Sequence, residues 1–233
     1  MASGRVDFNY LDLPQAEQAR GLVVVIDVVR AFSTAATAFS RGAERILLCG
    51  EVDQALAMRD QMPGSLVMGE SGGLRVSGFD LWNSPREIAQ QNLAGVTLIQ
   101  RTSAGTQGAV AASGAKILLA CAFVNCRATA HYIQKQQVNK VDVVITGSQG
   151  RAGGIEDRAC ADYLKALINK TGANPVKYIN RAEELIPKLW DDGSQRAREL
   201  KADVAECLVA DRFNFAMRIQ KNDDLLQMRP IYC

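Results

Sequence analysis

The run Val23-Val24-Val25-Ile26 ends abruptly in Asp27-Val28-Val29-Arg30-Ala31-Phe32-Ser33-Thr34, and small residues then continue in a helical pattern. Four β-branched residues in succession read as a buried strand, and the acid, arginine and hydroxyls read as a polar turn at its carboxyl end. In an open α/β sheet, ligands sit in the crevice beyond the strand ends, where a helix start offers free N–H groups to an anion. Asp27 stands at the mouth of such a crevice. A carboxylate there must be solvated, paired or bound to a cation, and a salt bridge to Arg30 is the plainest alternative. A hard cation on Asp27 and a phosphate gripped by Arg30, with Ser33 and Thr34 beside it, describe a metal-assisted phosphate site.

Working outward, the pattern recurs. The Gly42-Ala43 pair that precedes Ile46-Leu47-Leu48 returns 72 positions on as Gly114-Ala115 before Ile117-Leu118-Leu119, and Gly95-Val96-Thr97-Leu98-Ile99 echoes the first strand. Two units, about 21–49 and 93–121, thus read as strand, ligand-type turn, small-residue helix and strand. Such alternation predicts βαβ connections, hence one α/β domain over 1–233, three-layer α/β/α with a mainly parallel central sheet. A third strand, Val141 to Ile145, runs into a glycine-containing turn at Gly147 and a helix from Glu156 to Asn169. Three strand ends are expected to converge on one pocket.

Between the units, Val52 to Met62 reads as an amphipathic helix closed by Pro63-Gly64, with a short strand at Leu66-Val67-Met68. The glycine-rich stretch from Gly69 to Pro85 reads as a functional loop. Ser84-Pro85-Arg86-Glu87 ends it, because serine at N-cap, proline at the first helical position and glutamate at the third form a capping box. Ser194 to Met217 is helical in pattern, Pro187 should kink what precedes it, and Leu225 to Tyr232 returns as an edge strand or tail.

Arg101 occupies nearly the position in the second unit that Arg30 has in the first, which places two cations near one sheet edge. The turn Arg101-Thr102-Ser103-Ala104-Gly105-Thr106 combines hydroxyls with a glycine that lets backbone N–H groups approach an oxyanion. It lacks the Gly-Lys-Ser/Thr ending of a Walker loop. Glu70, Asp80, Glu156 and Asp157 all lie in loops or at a helix start. Magnesium usually takes one or two protein carboxylates, so these acids with Asp27 exceed what one ion needs, and Glu156 and Asp157 equally suit a helix dipole. Asn83 is either a phosphate contact or a loop brace.

Composition sets the outer limits. The 233 residues are 48% hydrophobic and 22% charged with net charge +2, ordinary for a globular chain with no basic stripe for nucleic acid. The start lacks the apolar core of a signal peptide, and Val23 to Val29 is far short of the roughly 20 residues of a membrane span, so a cytoplasmic protein with no membrane partner is expected. Cysteines 49, 121, 126, 160, 207 and 233 read as reduced and mostly structural. Cys121 and Cys126 are widely spaced for zinc, and the one histidine, His131, does not complete a site.

Asp27-Val28-Val29-Arg30-Ala31, Gly69-Glu70, Gly78-Phe79-Asp80-Leu81-Trp82-Asn83-Ser84-Pro85, Thr102-Ser103-Ala104-Gly105-Thr106 and Glu156-Asp157 together resemble the 2-phosphosulfolactate phosphatase family. Weaker similarity continues through Asp203-Val204-Ala205-Glu206-Cys207 and Asp211. The resemblance implies an α/β/α phosphatase that uses Mg²⁺ to hydrolyse 2-phospho-3-sulfolactate, a coenzyme M biosynthesis-type step, and a homodimer. The chain departs from many members at Ser71, Ala104 and Trp82. Two other readings stand beside it: a phosphatase for another small phospho-acid, and a non-catalytic binder of phosphorylated metabolites.

Overall fold

The computed structural model describes residues 5–147, 154–184 and 195–232. Its strands are β1 (Asp7–Asp12), β2 (Leu22–Ile26), β3 (Arg45–Leu48), β4 (Leu66–Gly69), β5 (Leu81–Trp82), β6 (Thr97–Arg101), β7 (Ile117–Cys121), β8 (Lys140–Ile145), β9 (Phe215–Asn222) and β10 (Leu225–Tyr232). The helices that matter here are α1 (Ala31–Ser40), α2 (Val52–Gln61), α3 (Pro85–Ile88), α4 (Gly105–Ala111), α5 (Cys126–Lys135), α6 (Ile155–Ile168), α7 (Pro175–Glu183) and α8 (Gln195–Cys207). Pro187 lies outside the described residues.

All ten strands form one sheet in the order β1-β8-β2-β7-β9-β10-β3-β6-β4-β5. It is mixed. β1-β8-β2-β7 and β3-β6-β4-β5 are two parallel arms, and the antiparallel β9-β10 hairpin is inserted between them. The C-terminal strand is therefore central, pairing Leu226–Met228 with Ile46–Leu48, not an edge or tail. Residues from Phe215 onward, expected to continue a helix, are strand because Phe215, Met217 and Ile219 alternate into the core.

The strands of the two units, 21–49 and 93–121, do not pair within a unit. β2 pairs with β7 and β3 with β6, so each unit gives one strand to each arm. Helices α1 and α4 consequently cross between arms instead of returning to a neighbouring strand. Residues 31–39 of α1 are all buried, the mark of a helix enclosed on every side. Its Ala and Phe side chains share one apolar cluster with Val23 and Val25 of β2, Ile46 of β3, Met68 of β4, Leu98 of β6 and Met217 of β9. That cluster draws on both arms, so the sheet curls around α1.

A flat sheet would hold β2 and β6, five steps apart, roughly 24 Å from each other. Instead, a Cβ placed on Gly105, just after β6, would lie 2.8 Å from Asp27 Oδ2, just after β2. Twist of about 20–25° per strand, summed over five steps, also turns two oppositely directed arms toward a common point. Outside the curl, α5, α6 and α7 cover the first arm, and α2 covers the second through Ala55 and Met58. Among the described residues, no helix is long and apolar enough to cross a membrane.

Candidate active site

Four strand ends meet inside the curl. Asp27 follows β2, Glu70 follows β4, the Thr102–Gly105 turn follows β6, and Thr146-Gly147 follows β8. Asp27 is 6% exposed, and its Oδ1 accepts a hydrogen bond from Ala31 N at 2.9 Å, which fixes the start of α1. The Thr146 hydroxyl, at the end of the neighbouring strand, donates to Ile26 O at 2.9 Å and so fixes the β8 turn beside this carboxylate. A Cβ on Gly105 would stand 2.7 Å from the Ala31 Cβ, so only glycine allows the turn this close to the acid.

Asp157 ties the β2 and β8 turns together, accepting from Val28 N at 2.7 Å and Gly147 N at 2.8 Å. Glu70 does the same for the second arm: Oε1 accepts from Ser103 N at 2.6 Å, and Oε2 accepts from the Ser103 hydroxyl and Gly73 N. Both acids are occupied with backbone. Glu156, at the start of α6, has among the described residues only its own backbone N–H against it and is the least committed of the group.

Burial pushes the Asp27 carboxyl up to about 6, and Glu70 adds to the shift. Burial likewise pushes Glu156 up to about 7, with Asp27 adding to it, and holds Asp157 well above the usual carboxylate range with help from Glu156 and Asp27. Among the described residues, what lowers these values is backbone N–H groups and a hydroxyl, not cations. The cluster is thus a region of uncompensated negative potential once ionised.

Arg30 does not neutralise Asp27. Its Nη1 donates to Asp203 Oδ2 at 2.7 Å in a fully buried ion pair, Asp203 Oδ1 accepts from the Ser84 hydroxyl at 2.6 Å, and the guanidinium lies 4.3 Å from the Trp82 ring centroid. One edge and one face of the guanidinium are therefore fixed by protein. The Nε–Nη2 edge has no partner among the described residues, which leaves a fork for an oxyanion.

Several expected contacts are framework instead. The Ser33 hydroxyl donates to Val28 O at 2.7 Å. Thr102 and Thr106 cap each other reciprocally, each backbone N–H donating to the other's hydroxyl. Arg101 braces the ends of β3 and β4 by donating to Gly50 O at 3.0 Å and Glu70 O at 2.8 Å. Asp80 stands apart from the acid group, accepting from Val67 N at 2.8 Å beside Arg59. Half of the predicted capping box forms: Ser84 Oγ accepts from Glu87 N, but the Glu87 carboxylate accepts from Trp82 N at 3.0 Å and not from Ser84 N, which donates to Trp82 O instead.

Thr34 and Asn83 are different. Thr34 Oγ1, Asn83 Oδ1, Gln100 Oε1 and Trp82 Nε1 are buried polar atoms without a hydrogen-bond partner, and all belong to segments around the acid cluster. Such atoms cost about 1–3 kcal/mol each if left unsatisfied, which suits positions completed by a bound polar ligand. Asn83 is not the loop brace it could have been. Gln100 and Thr146 carried no signal in the sequence, since each sits at the end of an ordinary apolar strand. Asp203 had only weak resemblance to mark it, because its partner lies 173 positions away.

Hard oxygen donors with raised proton affinity fit Mg²⁺ better than any softer metal. Among the described residues, no three carboxylates lie within 4.8 Å of one another. That spacing matches an ion held by one or two acids with remaining positions left to water and substrate. Asp27 and Glu156 are the two with capacity to spare.

An uncompensated carboxylate and a guanidinium with one edge unpartnered among the described residues, both carried by the β2–α1 turn at converging strand ends of an α/β sheet, are the equipment of an enzyme that handles phosphoryl groups. The chain belongs to the 2-phosphosulpholactate phosphatase family, whose model matches residues 9–222, and by that membership it is a phosphoric monoester hydrolase. It is 42% identical over 162 residues to a probable 2-phosphosulfolactate phosphatase of Bacillus subtilis, covering 70% of this chain and 69% of that one. A protein of the same description from Carboxydothermus hydrogenoformans is 38% identical over 146 residues, covering 63% and 60%. One from Prochlorococcus marinus is 32% identical over 199 residues, covering 84% and 78%.

Proposed function

We propose that this protein hydrolyses 2-phospho-3-sulfolactate to 3-sulfolactate and inorganic phosphate with Mg²⁺ as cofactor, the step that coenzyme M biosynthesis requires. The observation that carries the reading is the uncompensated acid cluster around Asp27, which needs a cation to be stable in its ionised form. Mg²⁺ held by Asp27 and Glu156 supplies charge neutralisation at the phosphoryl oxygens. The free edge of Arg30 takes two of those oxygens, and Asn83 and Thr34 satisfy their buried polar atoms on the remainder. Glu70 and Asp157 keep the turns in register so that these groups stay aligned.

Two attackers fit the position of Asp27: its own carboxylate, which would form an acyl phosphate as the P–O ester bond breaks, and a water beside it. Trapping during turnover with hydroxylamine or borohydride separates them, because only the acyl phosphate leaves a hydroxamate or a reduced side chain at Asp27, and direct attack of water on phosphorus leaves Asp27 unmodified. Phosphate release is measured with 2-phospho-3-sulfolactate beside a panel of small phosphate esters, with Mg²⁺ and with chelator. Release that is selective and lost with chelator is expected. Release from phospholactate or phosphoglycolate in preference moves the substrate to another small phospho-acid, and phosphate binding without turnover of any ester moves the protein to the binder class. Asp27→Ala is expected to abolish turnover with the fold retained; near-full activity in that variant sinks the proposal.

A further inference from the structure

Behind the active site, the Sγ atoms of Cys121, Cys126 and Cys160 all lie within 4.8 Å of one another, and all three residues are fully buried. They come from the end of β7, the start of α5 and the first half of α6, so only the tertiary fold assembles them. The Cys121 thiol donates to Ala122 O at 3.6 Å and the Cys126 thiol to Cys160 O at 3.9 Å, so among the described residues only backbone carbonyls hold them. The surroundings are apolar, with Phe123, Ala159 and Tyr163 in the same cluster. Among the described residues, no fourth histidine, cysteine or carboxylate joins the group.

Three sulfurs without a fourth ligand or a compensating cation restrict what can bind. Thiolates select soft ions. Cu(I) on three thiolates would leave two net negative charges in an apolar core, and Zn²⁺ would leave one and lack its fourth ligand. A trivalent thiophile leaves none. We propose that Cys121, Cys126 and Cys160 form a three-thiol site for a trivalent thiophilic oxyacid of the arsenite class. Arsenous acid and three thiols give a tris-thiolate of arsenic and three waters: three As–O and three S–H bonds break, three As–S bonds form, and the thiol protons leave on the departing oxygens. No electron is transferred and no charge is created. The lone pair on arsenic fills the direction where a fourth ligand is missing. The site is one hydrogen bond from Asp27, whose N–H donates to Cys121 O at 3.3 Å, so a thiophile bound there reaches the active site from behind.

The test uses the reduced full chain, incubated with arsenite, freed of excess and read by mass spectrometry, thiol titration and arsenic X-ray absorption. The expected result is one arsenic gained with three hydrogens lost, a fall in free thiols from six to three, and three sulfur neighbours. Cys126→Ala should lose the three-sulfur signature, whereas Cys49→Ser should keep it. Because the site is sealed, the same readings are taken after refolding in arsenite. Six free thiols after both treatments overturn the proposal, as does arsenic on two sulfurs or a three-sulfur site surviving in Cys126→Ala. Should that variant fail to fold, the absorption spectrum of the wild-type chain decides alone.

Discussion

Asp203 shows how a residue distant in sequence can set the behaviour of the site. It holds one edge of Arg30 while Trp82 covers a face, so the remaining edge points in one direction only. Asp203→Asn keeps the size but weakens that hold, and kcat/KM should fall about 10–100-fold, or roughly 1.4–2.7 kcal/mol. Removing one partner of a buried ion pair also destabilises, typically by about 3–5 kcal/mol, so stability is measured in parallel. The readout specific to positioning is competitive inhibition by free phosphate, expected to weaken in Asp203→Asn and to recover partly in Asp203→Glu. Unchanged phosphate inhibition with lowered stability would leave Asp203 a purely structural partner.

At the level of elements, the β6–α4 turn is where geometry is least forgiving. Its hydroxyls and its serine are consumed by internal bonds and by Glu70, and its glycine leaves no room for a Cβ against Asp27 and Ala31. A methyl group on Gly105 cannot be absorbed, since the nearest atoms belong to a buried acid and a helix packed on every side. Gly105→Ala should therefore cost about 1–3 kcal/mol of stability and lower turnover more than 100-fold, about 2.7 kcal/mol, checked by urea midpoint and initial rate. A variant with normal rate would show that the turn can retreat from Asp27 without consequence. The serine cap at Ser84 and the irregular loop before it were readable because their cues are local. The exchange of strands between repeat units was not, since β-branched runs specify a strand and not its neighbour.

For the whole molecule, the acid cluster makes stability depend on pH and on cations. Asp27 and Glu156 have folded values near 6 and 7, above their ordinary values of 3.8 and 4.5. Groups raised on folding favour the fold when protonated, so their contribution is complete below about pH 4 and is lost as pH rises through 6 to 7. Metal-free protein should lose roughly 4 kcal/mol between pH 5 and pH 8 from this source, lowering Tm by about 8–16 °C. Adding Mg²⁺ should restore Tm at pH 8 and change little at pH 5. Thermal melts across that range with and without the ion check this, and a Tm insensitive to Mg²⁺ at pH 8 would count against a cation at the cluster.

The sequence by itself determined the strand that ends at Asp27, the hydroxyl and glycine turn after the second strand, the acids at Glu70, Glu156 and Asp157, and the family. These follow from contiguous residues, because apolar runs, caps and turn residues act over a few positions. Tertiary structure alone decided that Arg30 pairs with Asp203 and not with Asp27, that Arg101 braces backbone, that Asp80 stands aside, and that the C-terminal hairpin joins two arms. Each of these depends on which strands become neighbours and how far the sheet curls. That is settled by the burial of α1 against both arms at once, a free energy summed over segments up to about 200 positions apart and carried by no single stretch of chain.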